Sequence, residues 1–142
     1  MLSSVEVFDP LFGGGVGRWE SAPDMTRARG GCDFYLLVVN NELYAVGGDE
    51  NATEVRSIEK MDRLTRVWQV ITELNVDRTG SAVVSMGSKI VLLGGGDEGS
   101  EERSTWDAFD VISRQWASST LSAATRRLPR NYFYLGCAVV VP

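Results

Sequence analysis

The chain has 142 residues, 44% of them hydrophobic and 23% charged, a profile of ordinary globular proteins rather than disordered or fibrous ones. With 19 acidic against 14 basic residues and no histidine, it lacks the cationic excess that phosphate backbones require. It also lacks the commonest transition-metal ligand and general base at neutral pH, so nucleic-acid binding, a copper centre and histidine-dependent catalysis are all disfavoured. No run approaches the roughly 20 apolar residues of a membrane span, and the opening MLSSVEVFDP has neither a basic start nor an apolar export segment. A cytoplasmic, soluble chain without membrane association is expected.

In chain order, the first element is the strand-like VEVFD at 5–9, followed by a glycine-rich insert, LFGGGVGR at 11–18, and then Trp19. Two longer units of one pattern follow. The second of them runs from Arg78 to about Leu121. Gly80–Ser85 is expected as its first strand, Met86–Ser88 as a turn, and Lys89–Gly94 as a second strand ending in a glycine pair. The acidic loop DEGSEERS precedes a third strand, Thr105–Asp110. Val111–Arg114 is a turn, and Gln115–Ser119 a fourth strand with Trp116 near its start. The unit before it repeats this scheme from Arg29 to about Leu74.

The repetition is the strongest signal in the chain. LYAVGG, ending in Gly47 and Gly48, returns as IVLLGG, ending in Gly94 and Gly95, and Trp19, Trp68 and Trp116 are 49 and 48 residues apart. Self-similarity at this period marks stacked or circular units, each too small to bury its own apolar face. Asp62 and Asp110 open the shared pattern D-x-x-[ST]-R-x-W, in which the carboxylate accepts turn amides. The glycine pairs suit a positive φ or a close backbone approach. No helix start follows them, and the acidic Asp49 and Asp97 stand close by, so a phosphate cradle is disfavoured.

These residues together resemble the kelch repeat, whose four-stranded unit forms one blade of a β-propeller. The resemblance rests on the glycine pairs, the VEVFD, IEKMD and AFD runs, the tryptophans and an arginine before each first strand. Kelch units commonly place a tyrosine seven positions before the tryptophan, where this chain has Met61 and Phe109, with Phe8 in the incomplete first unit. The fold expected is all-β: about three four-stranded antiparallel blades, half of a six-bladed ring. Residues 1–28 supply the last strands of one blade, 29–77 and 78–126 two full blades, and 127–142 the first strand of the next, around Phe133–Val141. Closed propellers need about 4–8 blades, so closure falls to a second copy in a homodimer or to further blades of a longer chain.

The resemblance also points to candidate binding residues. In kelch substrate adaptors basic residues surround the mouth of the central channel. The matching positions are Arg29, Arg78 and Arg130, with Arg27, Arg126 and Arg127 close by. Guanidinium forks there suit an acidic peptide; the alternative is that each arginine bonds carbonyls of the neighbouring blade. The polar loops DENATEVR and GDEGSEERS are further candidate partner contacts. Asp97, Glu98, Glu101 and Glu102 match no calcium-loop spacing, and Trp106 is a surface anchor or an inter-blade packing residue. Cys32 and Cys137 read as buried reduced thiols, and the sequon at Asn51 matters only for a secreted chain. No metal or cofactor is expected. The functional expectation is a non-catalytic protein-binding scaffold, against a purely structural piece of a larger kelch protein such as a ubiquitin-ligase adaptor, or a kelch-like enzyme.

Overall fold

Turn chemistry sets where each strand stops. Asn40 and Asn41 both adopt positive φ, 49° and 61°, which the right-handed twist of a two-residue hairpin requires and which asparagine tolerates better than most residues. They join β3 (Gly30–Val39) to β4 (Glu42–Glu50). Gly87, at φ 58°, does the same between β8 (Ala82–Met86) and β9 (Lys89–Leu93).

The structure, a computed structural model, describes residues 2–96, 98–122 and 124–131. The opening hairpin pairs β1 (Val5–Asp9) with β2 (Arg18–Ala22) in antiparallel register, Phe8 opposite Trp19. One sheet follows in the order β3, β4, β6 (Ser57–Asp62), β7 (Val67–Glu73), with the short β5 (Thr53–Glu54) paired to β4. The next contains β8, β9, β10 (Trp106–Asp110) and β11 (Gln115–Trp116), again in chain order. Both are antiparallel meanders, the arrangement expected of kelch blades. Phe133–Val141 and Cys137 lie outside the described residues, while Cys32 falls on β3.

The two blades pack face to face. Val39, Tyr44, Val46, Ile58 and Leu74 of the first meet Val83, Ile90 and Leu92 of the second in one buried cluster. A smaller cluster of Met25, Ala45 and Trp68, with Val5 and Phe34 against it, ties the hairpin to the first blade's other face. Burial of these side chains at about 25 cal/mol per Å² is the main force holding the stack. Polar bonds fix its register: the Tyr35 hydroxyl donates to the Ser81 carbonyl at 2.6 Å, and Asp33 Oδ1 accepts the Gly80 amide at 2.8 Å.

The glycine pairs stand where a side chain cannot. Gly47, at φ 66°, approaches the Asp33 carbonyl so closely that a Cβ would lie 2.6 Å from its oxygen. Gly95, at φ 79°, would place a Cβ 2.6 Å from the Arg78 carbonyl oxygen and 2.7 Å from the Ser81 amide nitrogen.

Three local expectations shift. The first strand of the second blade begins at Ala82 rather than Gly80, because Gly80 and Ser81 spend their amides on Asp33 and on the Arg78 carbonyl. The last strand ends at Trp116 and gives way to a 3-10 turn, Ala117–Ser119, where the Ser118 amide donates to Asp107 Oδ1 at 3.0 Å. DENATEVR is no open loop. Asn51 and Ala52 take positive φ, 52° and 62°, and fold Thr53–Glu54 back onto β4.

Candidate functional site

The arginine positions come first. Arg29 precedes β3 and is buried with Glu59 of β6, both side chains at 0% exposure and 2.6 Å apart. Its other donors reach the Gly47 carbonyl at 2.5 Å, the Ser57 carbonyl at 3.0 Å and the Ser57 hydroxyl at 2.6 Å, while the second oxygen of Glu59 accepts the Thr26 amide at 2.7 Å. Arg78 holds the same place in the second blade, donating to the carbonyls of Gly94 at 2.9 Å and Thr105 at 3.2 Å. These acceptors lie in the arginine's own blade, not the neighbouring one anticipated from sequence. The reason is geometric: the first glycine of each pair, Gly47 within β4 and Gly94 just past β9, brings its carbonyl beside the arginine that precedes the blade.

The remaining cations differ. Arg27 forms an exposed pair with Glu50 at 3.1 Å. Arg126 donates to the Trp106 carbonyl at 2.8 Å and stands 3.7 Å from Asp107. Arg127 and Arg130 are exposed. Backbone bridges pair Leu2 with Arg29 and Thr105 with Arg127.

The tryptophans form a ladder that sequence spacing revealed only as a rhythm. The buried Trp68 donates its indole N–H to the Pro23 carbonyl at 3.0 Å, and Trp116 donates to the Thr72 hydroxyl at 3.1 Å. Pro23 is four residues past Trp19, and Thr72 is four past Trp68. Each tryptophan therefore bonds the preceding unit four residues beyond that unit's own tryptophan. Phe109 packs on Trp116 at 5.2 Å between ring centroids, and Phe8 on Trp19 at 5.1 Å, so an apolar ring at the tyrosine position keeps its packing role. Trp19 differs from its counterparts in being 64% exposed.

Among the described residues, nothing covers the second blade's outward face. Val84, Met86, Val91, Leu93, Trp106 and Ala108 line a concavity of about 750 Å³, with Lys89, Asp110, Ser113 and Gln115 at its edge. Sequence reasoning singled out Trp106 alone; the cross-strand register that brings it opposite Leu93 is what makes a surface. Beside this face, Asp110 Oδ1 accepts the amides of Ile112 and Ser113, both at 3.0 Å. The Ser113 amide, the Ser88 hydroxyl and Lys89 hold its carboxyl well below the usual range. Asp62 is lowered likewise by the amides of Thr65 and Leu64. Of the acidic loop, Glu98 and Glu101 are exposed, and the described residues contain no cluster of three or more acidic or cysteine side chains arranged to hold a metal.

Residues 30–75, which begin with β3 and end just past β7, match the family model of the Kelch motif. That first blade carries a Kelch motif. It is 28% identical to an F-box/kelch-repeat protein of Arabidopsis thaliana over 61% of its own length and 23% of that protein's. It is 22% identical to Kelch-like protein 35 of Mus musculus over 75% and 18%, respectively. To Alpha-scruin of Limulus polyphemus it is 38% identical, over 54% and 8%. The chain thus spans less than a quarter of the length of these relatives. No helix among the described residues is long and apolar enough to cross a membrane.

Proposed function

We propose that the chain is a non-catalytic protein-interaction scaffold that docks a protein on the open face of its second blade. The observation that carries this reading is the apolar concavity of about 750 Å³ on a sheet whose other face is fixed by the inter-blade core. Monomeric surfaces rarely leave so continuous an apolar patch without a partner. Kelch repeats serve in general as protein-interaction modules, which agrees with it. The proposal includes a homodimer in which two half-rings supply six blades.

The preference for an acidic segment rests on Arg127 and Arg130, which are exposed; Arg29 and Arg78 have their guanidinium groups inside their blades. Arg127 is bridged to Thr105, next to Trp106 on the open face, so a ligand lying on that face meets a cation at its border. The test is fluorescence anisotropy with a labelled glutamate-rich peptide and its lysine-rich counterpart. The acidic peptide is expected to bind and the basic one not. Arg127→Glu with Arg130→Glu should weaken binding at least about tenfold, two charge-assisted contacts of about 1 kcal/mol or more each, at unchanged melting temperature. Equal binding of both peptides, or indifference to the charge reversal, overturns the acidic-segment reading.

A further inference from the structure

We propose that the open face of the second blade receives the β1–β2 hairpin of a second copy of this chain, with Trp19 of the hairpin bonded at Thr120. This rests on the scaffold reading above and names its occupant.

Strand register supplies the first half of the argument. Leu37 pairs with Tyr44, and Val46 with Ile58, in the first blade; Val84 pairs with Val91, and Leu93 with Trp106, in the second. Leu37, Val39, Tyr44, Val46 and Ile58 form the face on which the second blade sits. Their counterparts are Val84, Met86, Val91, Leu93 and Trp106, which line the concavity. The open face is therefore built as a seat for a blade, and its shape asks for the kind of surface that the first seat already holds.

That kind of surface is the exposed side of the hairpin. What the second blade inserts into the first includes Trp116, backed by Phe109. The hairpin presents the same pair, Trp19 backed by Phe8, at 64% and 46% exposure. The tryptophan ladder completes the match. Trp68 and Trp116 each donate to the residue four past the preceding tryptophan; the next such acceptor is Thr120, four past Trp116, and it lies in the wall of the concavity. The Trp19 indole has no hydrogen-bond partner among the described residues. Among the described residues the Trp19 donor and the Thr120 acceptor are thus both unfilled, at opposite ends of the stack, and two chains satisfy both in two identical contacts related by a two-fold axis.

The experiment is light scattering coupled to size-exclusion chromatography on the 142-residue chain across a concentration series, with Trp19→Glu as the hairpin variant and Met86→Glu as the groove variant. Trp19 and Met86 are 64% and 55% exposed, so both variants are expected to keep the wild-type melting curve. The wild type should show twice the 15.6 kDa chain mass, and each variant alone the single mass. An equimolar mixture of the two should recover a dimer through its one intact contact, at least tenfold weaker than wild type. Should Trp19→Glu fail to fold, Trp19→Phe, which keeps an aromatic ring but removes the indole N–H from both contacts of the dimer, is expected to weaken dimerisation roughly 25-fold or more. A wild type that stays monomeric at every concentration overturns the proposal, as does a mixture that stays monomeric. A dimer that persists in both variants overturns this contact and places self-association elsewhere. Acidic-peptide binding by a monomeric chain would leave the scaffold reading standing while this contact falls.

Discussion

Glu59→Gln is the perturbation that best separates a structural arginine from a recognition arginine. Glu59 and Arg29 are fully buried and 2.6 Å apart, and the amide replacement keeps the shape of the site while removing the charge that balances the guanidinium. Glutamine can accept from only one of the two donors that now face separate Glu59 oxygens, the Arg29 guanidinium and the Thr26 amide at 2.6 and 2.7 Å, so the loss combines the stranded charge with one donor left facing an NH2 group. Stranding one member of a buried ion pair costs about 3–5 kcal/mol, a large share of the roughly 5–15 kcal/mol that stabilises a typical domain. Urea unfolding followed by circular dichroism reads this as a lower midpoint at unchanged slope. Arg29→Met should cost about as much, because it strands Glu59. The double variant should lose about 1–3 kcal/mol less than the sum of the singles, since the two residues share one network. If Glu59→Gln lies within about 0.5 kcal/mol of wild type, Arg29 is not held as an internal charge, and the channel-mouth role returns to it.

Three further outcomes follow from the same geometry. Gly95→Ala places a Cβ 2.6 Å from the Arg78 carbonyl oxygen at φ 79°; it should cost about 2 kcal/mol or more, with the positive φ alone worth about 1–2 kcal/mol, read as a fall in melting temperature. Trp116→Phe keeps an aromatic ring beside Phe109 but removes the bond to Thr72 and part of the ring packed on the inter-blade core, and a loss of at least about 1 kcal/mol in urea unfolding is expected; no loss would mean that the ladder bond is idle. Asp62 and Asp110 have lowered carboxyl pKa values, owing chiefly to turn amides. Their stabilisation is therefore complete above the unfolded carboxylate pKa of about 3.9 and is lost as pH falls through the lower folded values. An Asp62→Asn, Asp110→Asn variant should lose less melting temperature than wild type on acidification below about pH 4.

Much of the architecture was legible because it depends on local chemistry. The glycine pairs, the Asp-led turns and the tryptophan period each impose a backbone geometry that any fold must honour, and the strands fall between them. Arg66 and Arg114 show the limit of that reading: both sit at φ 57° in the hairpin loops, a place where glycine would have announced the turn and arginine does not. Asn51–Ala52 hid the β4–β5 hairpin for the same reason. The fate of Arg29 was not legible, because an arginine before a strand looks alike whether it faces a channel or a buried glutamate 30 positions away. The open face was invisible as well, since its residues come from three strands and acquire common meaning only through cross-strand register.

The central claim is that the second blade's outward face is an interface. Hydroxyl-radical footprinting of Met86 and Trp106 across a protein dilution series tests it most directly, with the exposed Leu64 in a hairpin loop of the first blade as reference. Protection of Met86 and Trp106 that grows with concentration, against constant modification of Leu64, is the result predicted. Modification of Met86 and Trp106 at the same rate from the most dilute to the most concentrated sample would contradict the account.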